Sequence, residues 1–128
     1  MIIKIPVSIG EVIDKISILL IKMEKITDIH KIQYIKKEFD ELNHSINEKN
    51  LDENKIKEFL DEMLKINTKL WNIEDKIREC ERARAFDQLF IDLARSVYKN
   101  NDIRAEIKLR INKEFNSEMI EVKSYSSY

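Results

Sequence analysis

Turn-forming residues are almost absent from this chain, whose 128 residues include one glycine, Gly10, and one proline, Pro6. Sheet-rich folds need such residues at every hairpin, so a chain with so few of them makes few tight turns. Long helices joined by short polar connections meet this constraint. The sequence therefore predicts an all-α protein, and its length predicts a single domain over residues 1–128, with a tail at about 117–128.

The first half of the chain predicts two helices and the start of a third, because apolar residues recur there at three- and four-residue spacing. Ser8, with Glu11 three residues later, has the spacing of a capping box for helix 1, which is apolar around much of its circumference. Either Thr27 or Asp28 caps helix 2, and Asp52 caps helix 3. We expect helices 2 and 3 to form a long antiparallel hairpin with coiled-coil-like packing.

The apolar spacing changes at residues 84–86, which predicts that helix 3 ends there, although a helix continuous through this point is an alternative. Residues 100–102, Asn-Asn-Asp, predict a turn between a fourth and a fifth helix. The fold is thus an antiparallel bundle of four or five helices. Short extended segments flank it, and a strand in the tail could pair with residues 2–5.

The overall charge of −1 argues against nucleic-acid binding, which needs a strong basic field. Cys80 is the only cysteine, so no disulfide forms within the chain. No apolar run is long enough to span a bilayer, and the first ten residues lack the features of a signal peptide. These features predict a cytoplasmic protein. The strongly apolar helix 1 and the long helical hairpin together predict a homodimer.

All six arginines lie between residues 76 and 110. Because arginine is the residue best suited to anion recognition and partly buried ion pairs, we expect such interactions in this segment. One face of helix 3 and the facing part of helix 4 carry aromatic and charged residues at helical spacing. They could form an anion or phosphate site, with arginines as donors, aromatic residues as stacking walls and carboxylates as orienting groups. The candidate ligand-binding residues are Trp71, Glu74, Asp75, Arg78, Glu81, Arg95, Tyr98, Asn101, Asp102, Arg104 and Lys108. The alternative is a purely structural network of ion pairs between helices.

The chain resembles a family of bacterial and phage proteins, number 6165 among the domains of unknown function. The resemblance lies in IPVSIGEVIDKISILLIKMEKI (5–26), IEDKIRECE (73–81), FDQLFIDLARSVYKNNDIRAEIK (86–108) and EVKSY (121–125). Asn116 stands where the family pattern has a glycine, and asparagine tolerates the left-handed conformation of such a turn. The polar positions that match the family are Ser8, Glu11, Asp14, Lys15, Glu74, Asp75, Arg78, Glu81, Arg95, Tyr98, Asn101, Asp102, Arg104, Lys108, Lys123 and Tyr125.

The resemblance implies no activity. It implies a link to the synthesis of surface polysaccharides, since members lie near glycosyltransferase genes for these polymers. The sequence itself carries no motif for a catalytic residue or a cofactor. The preferred hypothesis is therefore a helical interaction or accessory protein with a protein partner. The alternative hypothesis is a site for a phosphorylated or nucleotide-type ligand.

An enzymatic variant of that alternative rests on four carboxylates, from Glu38 and Glu41 on helix 2 and from Glu58 and Asp61 on helix 3. Their spacing is similar to the acidic motif of all-helical nucleotide pyrophosphatases, which hold Mg²⁺ between two facing helices. Acidic pairs at this spacing are also common in helices as highly charged as these. The preferred prediction is that the chain has no metal site.

Overall fold

A computed structural model describes residues 1–128 and contains four helices and no strand. The helices are α1 (Ile9–Lys25), α2 (Ile29–Asn47), α3 (Glu53–Ala83) and α4 (Gln88–Glu114). The prediction of an all-helical fold is confirmed. None of the four helices combines the length and the apolar character that a membrane-spanning helix needs.

The first three helices begin at the predicted caps, where a side chain satisfies backbone N–H groups that have no partner inside the helix. Ser8 Oγ accepts a hydrogen bond from the backbone N–H of Glu11 at 3.1 Å. Asp28, rather than Thr27, caps α2, and Asp52 caps α3, each carboxylate accepting from the two N–H groups two and three residues later. These starts follow from local sequence alone.

Helix α3 ends at Arg84, which has a left-handed backbone with φ of 52°. The N–H of Ala85 then donates to the carbonyl of Cys80 at 2.9 Å, a bond that closes the last turn. The predicted break is confirmed, and the alternative of a helix continuous through this point is wrong. Asn116, two residues after the end of α4, also has a φ of 52°, as the resemblance implied.

The predicted turn at residues 100–102 is wrong, because α4 runs through them without interruption. Asparagine disfavours a helix by only a few tenths of a kcal/mol, so its tertiary surroundings decide the outcome. Asn100 is buried, and its side-chain amide donates to the carbonyl of Ser96, one turn earlier, at 2.7 Å. Arg104, one turn later, is bound to α1. The bundle therefore has four helices and no fifth.

Helix α1 is the central element, and α2, α3 and α4 all pack against it. The expected hairpin of helices 2 and 3 does not form, because α2 packs on α1 alone and no Cα atom of α2 comes within 8 Å of α3. The apolar circumference of α1 explains this, since it offers buried surface to three neighbours. The main core cluster joins α1, α3 and α4 through Ile13, Met63, Ile66, Ile107 and Ile111.

The two terminal segments lie outside the helices and form no strand, so the pairing considered for them does not occur. Residues 2–7 cross a groove between α1 and α2 that includes Val12, Leu42 and Ile46. The tail lies along α4 instead, where Glu121 pairs with Lys108 and Tyr128 donates to Asp102. Each segment follows a different helix, which keeps the two apart.

Candidate functional site

A buried carboxylate, Asp14, lies at the centre of the bundle where α1 faces α3 and α4. It is almost completely buried. Arg104 of α4 binds it with two nitrogens, Nε at 3.0 Å from Oδ1 and Nη2 at 2.6 Å from Oδ2. Asn67 of α3 donates to Oδ1 at 2.8 Å. The helices α1, α3 and α4 thus each contribute one polar side chain to the same cluster. Because Arg104 binds the carboxylate through two nitrogens, its guanidinium is held in one orientation.

Ser17 is the fourth residue of this hydrogen-bond network. Its hydroxyl donates to the backbone carbonyl of Asp14 at 2.6 Å, and Asn67 Nδ2 lies 2.6 Å from the same hydroxyl oxygen. Both Ser17 and Asn67 are buried, so no solvent competes for these bonds. The network is therefore satisfied and rigid, which is the condition under which buried polar groups are tolerated.

Lys108, one turn after Arg104, carries a second buried charge. Its Nζ lies 2.7 Å from Glu11, 2.6 Å from Glu121 and 3.6 Å from Asp14. Burial lowers the pKa of Lys108, but hydrogen bonds to Glu11 and Glu121 outweigh that effect, so its pKa lies above the ordinary 10.5. The side chain therefore stays charged, and it ties the tail to α1 and α4.

Gly10 allows the start of α1 to approach α4 closely. Its N–H donates to Asn112 Oδ1 at 2.7 Å. A Cβ atom at this position would lie 2.6 Å from the backbone oxygen of Lys108, which is shorter than any real contact. The single glycine of the chain thus stands where two helix backbones meet, and this approach brings Glu11 within reach of Lys108.

Two clefts open on either side of Arg104, and Asn101 lines both. The first, which we call the tail cleft, has a volume of about 620 Å³ and lies between α4 and the tail. The second, the Trp71 cleft, has a volume of about 540 Å³ and lies between α1, α3 and α4. A smaller cleft around Tyr98 and Tyr128 adjoins the tail cleft.

The structure brings nine of the eleven candidate ligand residues to these clefts. Six of them line the Trp71 cleft: Trp71, Glu74, Asp75, Arg78, Asn101 and Arg104. Asp102 and Lys108 line the tail cleft, and Tyr98 lines the small cleft beside it. Glu81 and Arg95 are exposed and line none of these three clefts. The expected convergence of Arg78, Arg95 and Arg104 on one anion therefore does not occur.

The charges of the Trp71 cleft are largely matched within the protein. Arg78 forms an exposed ion pair with Glu74, and Arg104 is neutralised by Asp14. Asp75 adds a further negative charge at the rim. The cleft therefore offers donors and acceptors beside an aromatic face, without the net positive field of a dedicated polyanion site.

No group of three or more histidine, cysteine, aspartate or glutamate side chains is arranged to hold a metal ion. The four carboxylates considered for Mg²⁺, at Glu38, Glu41, Glu58 and Asp61, belong to α2 and α3, which do not pack together. The pyrophosphatase-like arrangement needs two facing helices, so the structure does not assemble it.

Sequence reasoning missed several residues of the site. Asn67 and Ser17 were not among the candidates, and Glu121, Ser126 and Tyr128 line clefts from the tail. One signal could have found Asn67, since it is a polar residue directly after the core residue Ile66. Of the tail residues, only Glu121 had a signal, since it lies in the run EVKSY (121–125) that resembles the family. Spacing gives none for the others, because only the folded chain brings them to α4.

Comparison with known proteins identifies a family for this arrangement. The model of a family described as "Family of unknown function (DUF6165)" matches residues 3–128. The chain belongs to DUF6165. The matched range includes every residue of the Asp14 network and of the two clefts. No curated protein and no solved structure matches the chain.

Proposed function

We propose that this DUF6165 protein is a helical interaction protein that binds another protein chain through apolar surface left open by its own fold. The exposed area supports the proposal. The chain has 9562 Å² of accessible surface. A compact monomer of 15.3 kDa has about 7,100 Å² by the usual scaling with mass. The excess of about 2,400 Å² is shared between the exposed terminal segments and uncovered helix surface, and it is large enough to include a stable interface.

Part of this open surface lies at the end of the bundle formed by the α3–α4 connection. Ser17 of α1 is bound to Asn67 of α3, and α1 continues for eight residues beyond it, whereas α3 continues for sixteen. At 1.5 Å per residue, about 12 Å of α3 and the facing part of α4 extend past α1. We call residues 79–95 the α3–α4 end.

Apolar side chains at the α3–α4 end are exposed because α1 does not reach them. Leu89 continues the core-facing stripe of α4 that includes Ile107 and Ile111, yet it is 60% exposed. Phe86, just before α4, is 53% exposed and packs edge-on against Phe90. Apolar residues on a core-facing stripe with no cover are typical of a surface that a partner covers.

We further propose that the protein takes part in surface-polysaccharide synthesis. The support is the family resemblance, whose members lie near glycosyltransferase genes. A partner from such a pathway would make this chain an accessory subunit rather than the enzyme. The absence of a catalytic motif in the sequence is consistent with that role.

Cross-linking in cells tests the proposal. Tagged wild-type chain and two variants, Leu89→Asp and Tyr34→Asp, are cross-linked and the products identified by mass spectrometry. Tyr34 is a matched control because it is 77% exposed on α2, a helix that packs on α1 and contacts neither α3 nor α4. We expect protein adducts with the wild type and with Tyr34→Asp, and their loss with Leu89→Asp. Equal adducts from all three chains, or none from any, would overturn the proposal.

A second candidate function is the binding of a small polar or phosphorylated ligand in the Trp71 cleft. The specific observation is Arg104, whose Nε and Nη2 are held by Asp14 while its side chain lines the cleft. Such a donor is oriented before any ligand arrives, which lowers the entropic cost of binding. The cleft volume of about 540 Å³ lies in the usual range for small-molecule sites.

Trp71 is the only tryptophan, so its fluorescence reports directly on this cleft. We would titrate nucleoside triphosphates with Mg²⁺, nucleotide sugars and sugar phosphates, and record emission and melting temperature. Arg78→Ala should weaken a response, whereas Arg95→Ala, which lies off the cleft, should leave it unchanged. Equal responses from both variants, or no response in the wild type, would reject the cleft as a site.

A further inference from the structure

We infer that the partner at the α3–α4 end is a second copy of this chain, packed by two-fold symmetry; the inference rests on the interaction function proposed above. In such an interface the same patch serves on both subunits, so the patch must complement itself in shape and charge. The structure offers one argument from area and one from charge.

The open surface of the chain leaves room for a homodimer interface. Obligate homodimers cover roughly 2,000–5,000 Å² in total, half of it from each subunit. The excess surface of the whole chain is about 2,400 Å² against a compact monomer of the same mass, and it includes the exposed terminal segments, residues 1–7 and 118–128, as well as the α3–α4 end. The α3–α4 end supplies apolar anchors for the centre of such an interface in Phe86 and Leu89, and Ile91 lies 46% exposed beside them.

The charges of the α3–α4 end complement those of an identical patch. Residues 79–95 carry four acids (Glu79, Glu81, Asp87 and Asp92) and three bases (Arg82, Arg84 and Arg95). None of the seven forms an ion pair within the chain, whereas seven other basic or histidine side chains of the chain do. A strongly acidic or strongly basic partner would leave half of them facing like charge. A second copy, turned by two-fold symmetry, can set acids of one patch against bases of the other.

Sedimentation equilibrium measures the outcome directly. We expect the wild type to sediment at twice its mass of 15.3 kDa at micromolar concentration. Leu89→Asp should weaken the dimer by at least about thirtyfold, the loss typical of a central anchor. Tyr34→Asp, on α2, should leave the dimer intact. Circular dichroism confirms that each variant keeps its helices.

Charge exchange tests the self-complementarity with exposed residues whose substitution leaves the core untouched. One variant carries Arg82→Glu and Arg95→Glu, and the other carries Glu79→Lys and Glu81→Lys. Each alone should lose dimer affinity, because like charges then meet across the two-fold axis. An equal mixture of the two should form heterodimers, which native mass spectrometry distinguishes by mass.

A wild type that stays monomeric overturns the inference, and so does a dimer that neither Leu89→Asp nor charge exchange weakens. These results are separate from those that test the interaction function. If the wild type is monomeric but its cross-links in cells to another protein are lost with Leu89→Asp, the interaction function stands and the second copy is excluded as its partner. If the dimer forms and no other protein is captured, the second copy is the only partner at this end.

Discussion

The carboxylate of Asp14 and the guanidinium of Arg104 are joined across ninety positions of sequence by a two-nitrogen bond, with Nη2 at 2.6 Å from Oδ2. Only 1% of the Asp14 side chain is exposed, against 29% of the Arg104 side chain. The pair therefore lies at the boundary between the core and the clefts. It holds α1 against α4 and sets the orientation of the side chain that divides the two clefts.

Removing the charge of Asp14 should destabilise the fold strongly. Asp14→Asn leaves Arg104 as a partly buried cation without its counter-charge, and breaking such a pair costs about 3 kcal/mol. Urea denaturation followed by circular dichroism measures the free energy of unfolding. Glu74→Gln is the control, because it breaks the exposed Glu74–Arg78 pair and should cost less than about 1 kcal/mol. Equal losses from the two variants would show that the Asp14 network does not hold the helices together.

Adding a methyl group at Gly10 should also destabilise the protein, although alanine is the better helix former by about 1 kcal/mol. The new Cβ would lie 2.6 Å from the backbone oxygen of Lys108 and 2.9 Å from Asn112 Oδ1. Because the closest atom belongs to backbone, α1 and α4 must move apart. We expect Gly10→Ala to lower the free energy of unfolding by about 2 kcal/mol. A more stable variant in thermal melts would contradict this close packing.

The anchor of the tail should weaken in acid. Hydrogen bonds from Lys108 and Lys123 lower the pKa of Glu121 from 4.5 to about 2. The folded pKa lies below the unfolded one, so the contribution of Glu121 to stability is complete above pH 4.5. This contribution to stability is lost as the pH falls from 4.5 to about 2. The free energies of unfolding of wild type and Glu121→Gln should differ at pH 6 and converge toward pH 2. A difference that stays constant with pH would exclude this ion pair as the anchor.

Replacing Arg84 by glycine should stabilise the end of α3. Arg84 has a φ of 52°, a conformation that costs a residue with a side chain about 1 kcal/mol and costs glycine little. The greater freedom of glycine in the unfolded chain offsets part of the gain. We expect Arg84→Gly to raise the free energy of unfolding by about 0.5 kcal/mol, measured by urea denaturation. Arg82→Gly, two residues earlier and within the helix, should lower it, and the opposite ranking would contradict this assignment.

Local sequence predicted the limits of the helices where a cap or a change of spacing marked them. Ser8 and Asp52 begin their helices as expected, and α3 ends near Arg84. Local sequence gave the wrong prediction at residues 100–102, where three turn-forming residues lie inside α4. There the burial of Asn100 and the pairing of Arg104 outweigh a small intrinsic preference.

The candidate site was partly predictable, because helical spacing is also a property of the local sequence. Helical spacing placed Trp71, Glu74, Asp75 and Arg78 on one face of α3, and they line one cleft. It also suggested that Arg95 joins them, but Arg95 lies on the outer side of α4, off the cleft. Spacing determines which residues share a face, whereas the rotation of one helix against another determines which faces meet.

The sequence by itself determined the helical class, the caps at Ser8 and Asp52 and the end of α3, because these depend on residues within one or two turns of each other. The tertiary structure alone decided that α2 packs on α1, that the terminal segments stay apart, and that Asp14 meets Asn67 and Arg104. Periodicity marks a face as apolar without naming its partner. The choice among partners rests on the combined burial of all the helices, which no single segment encodes.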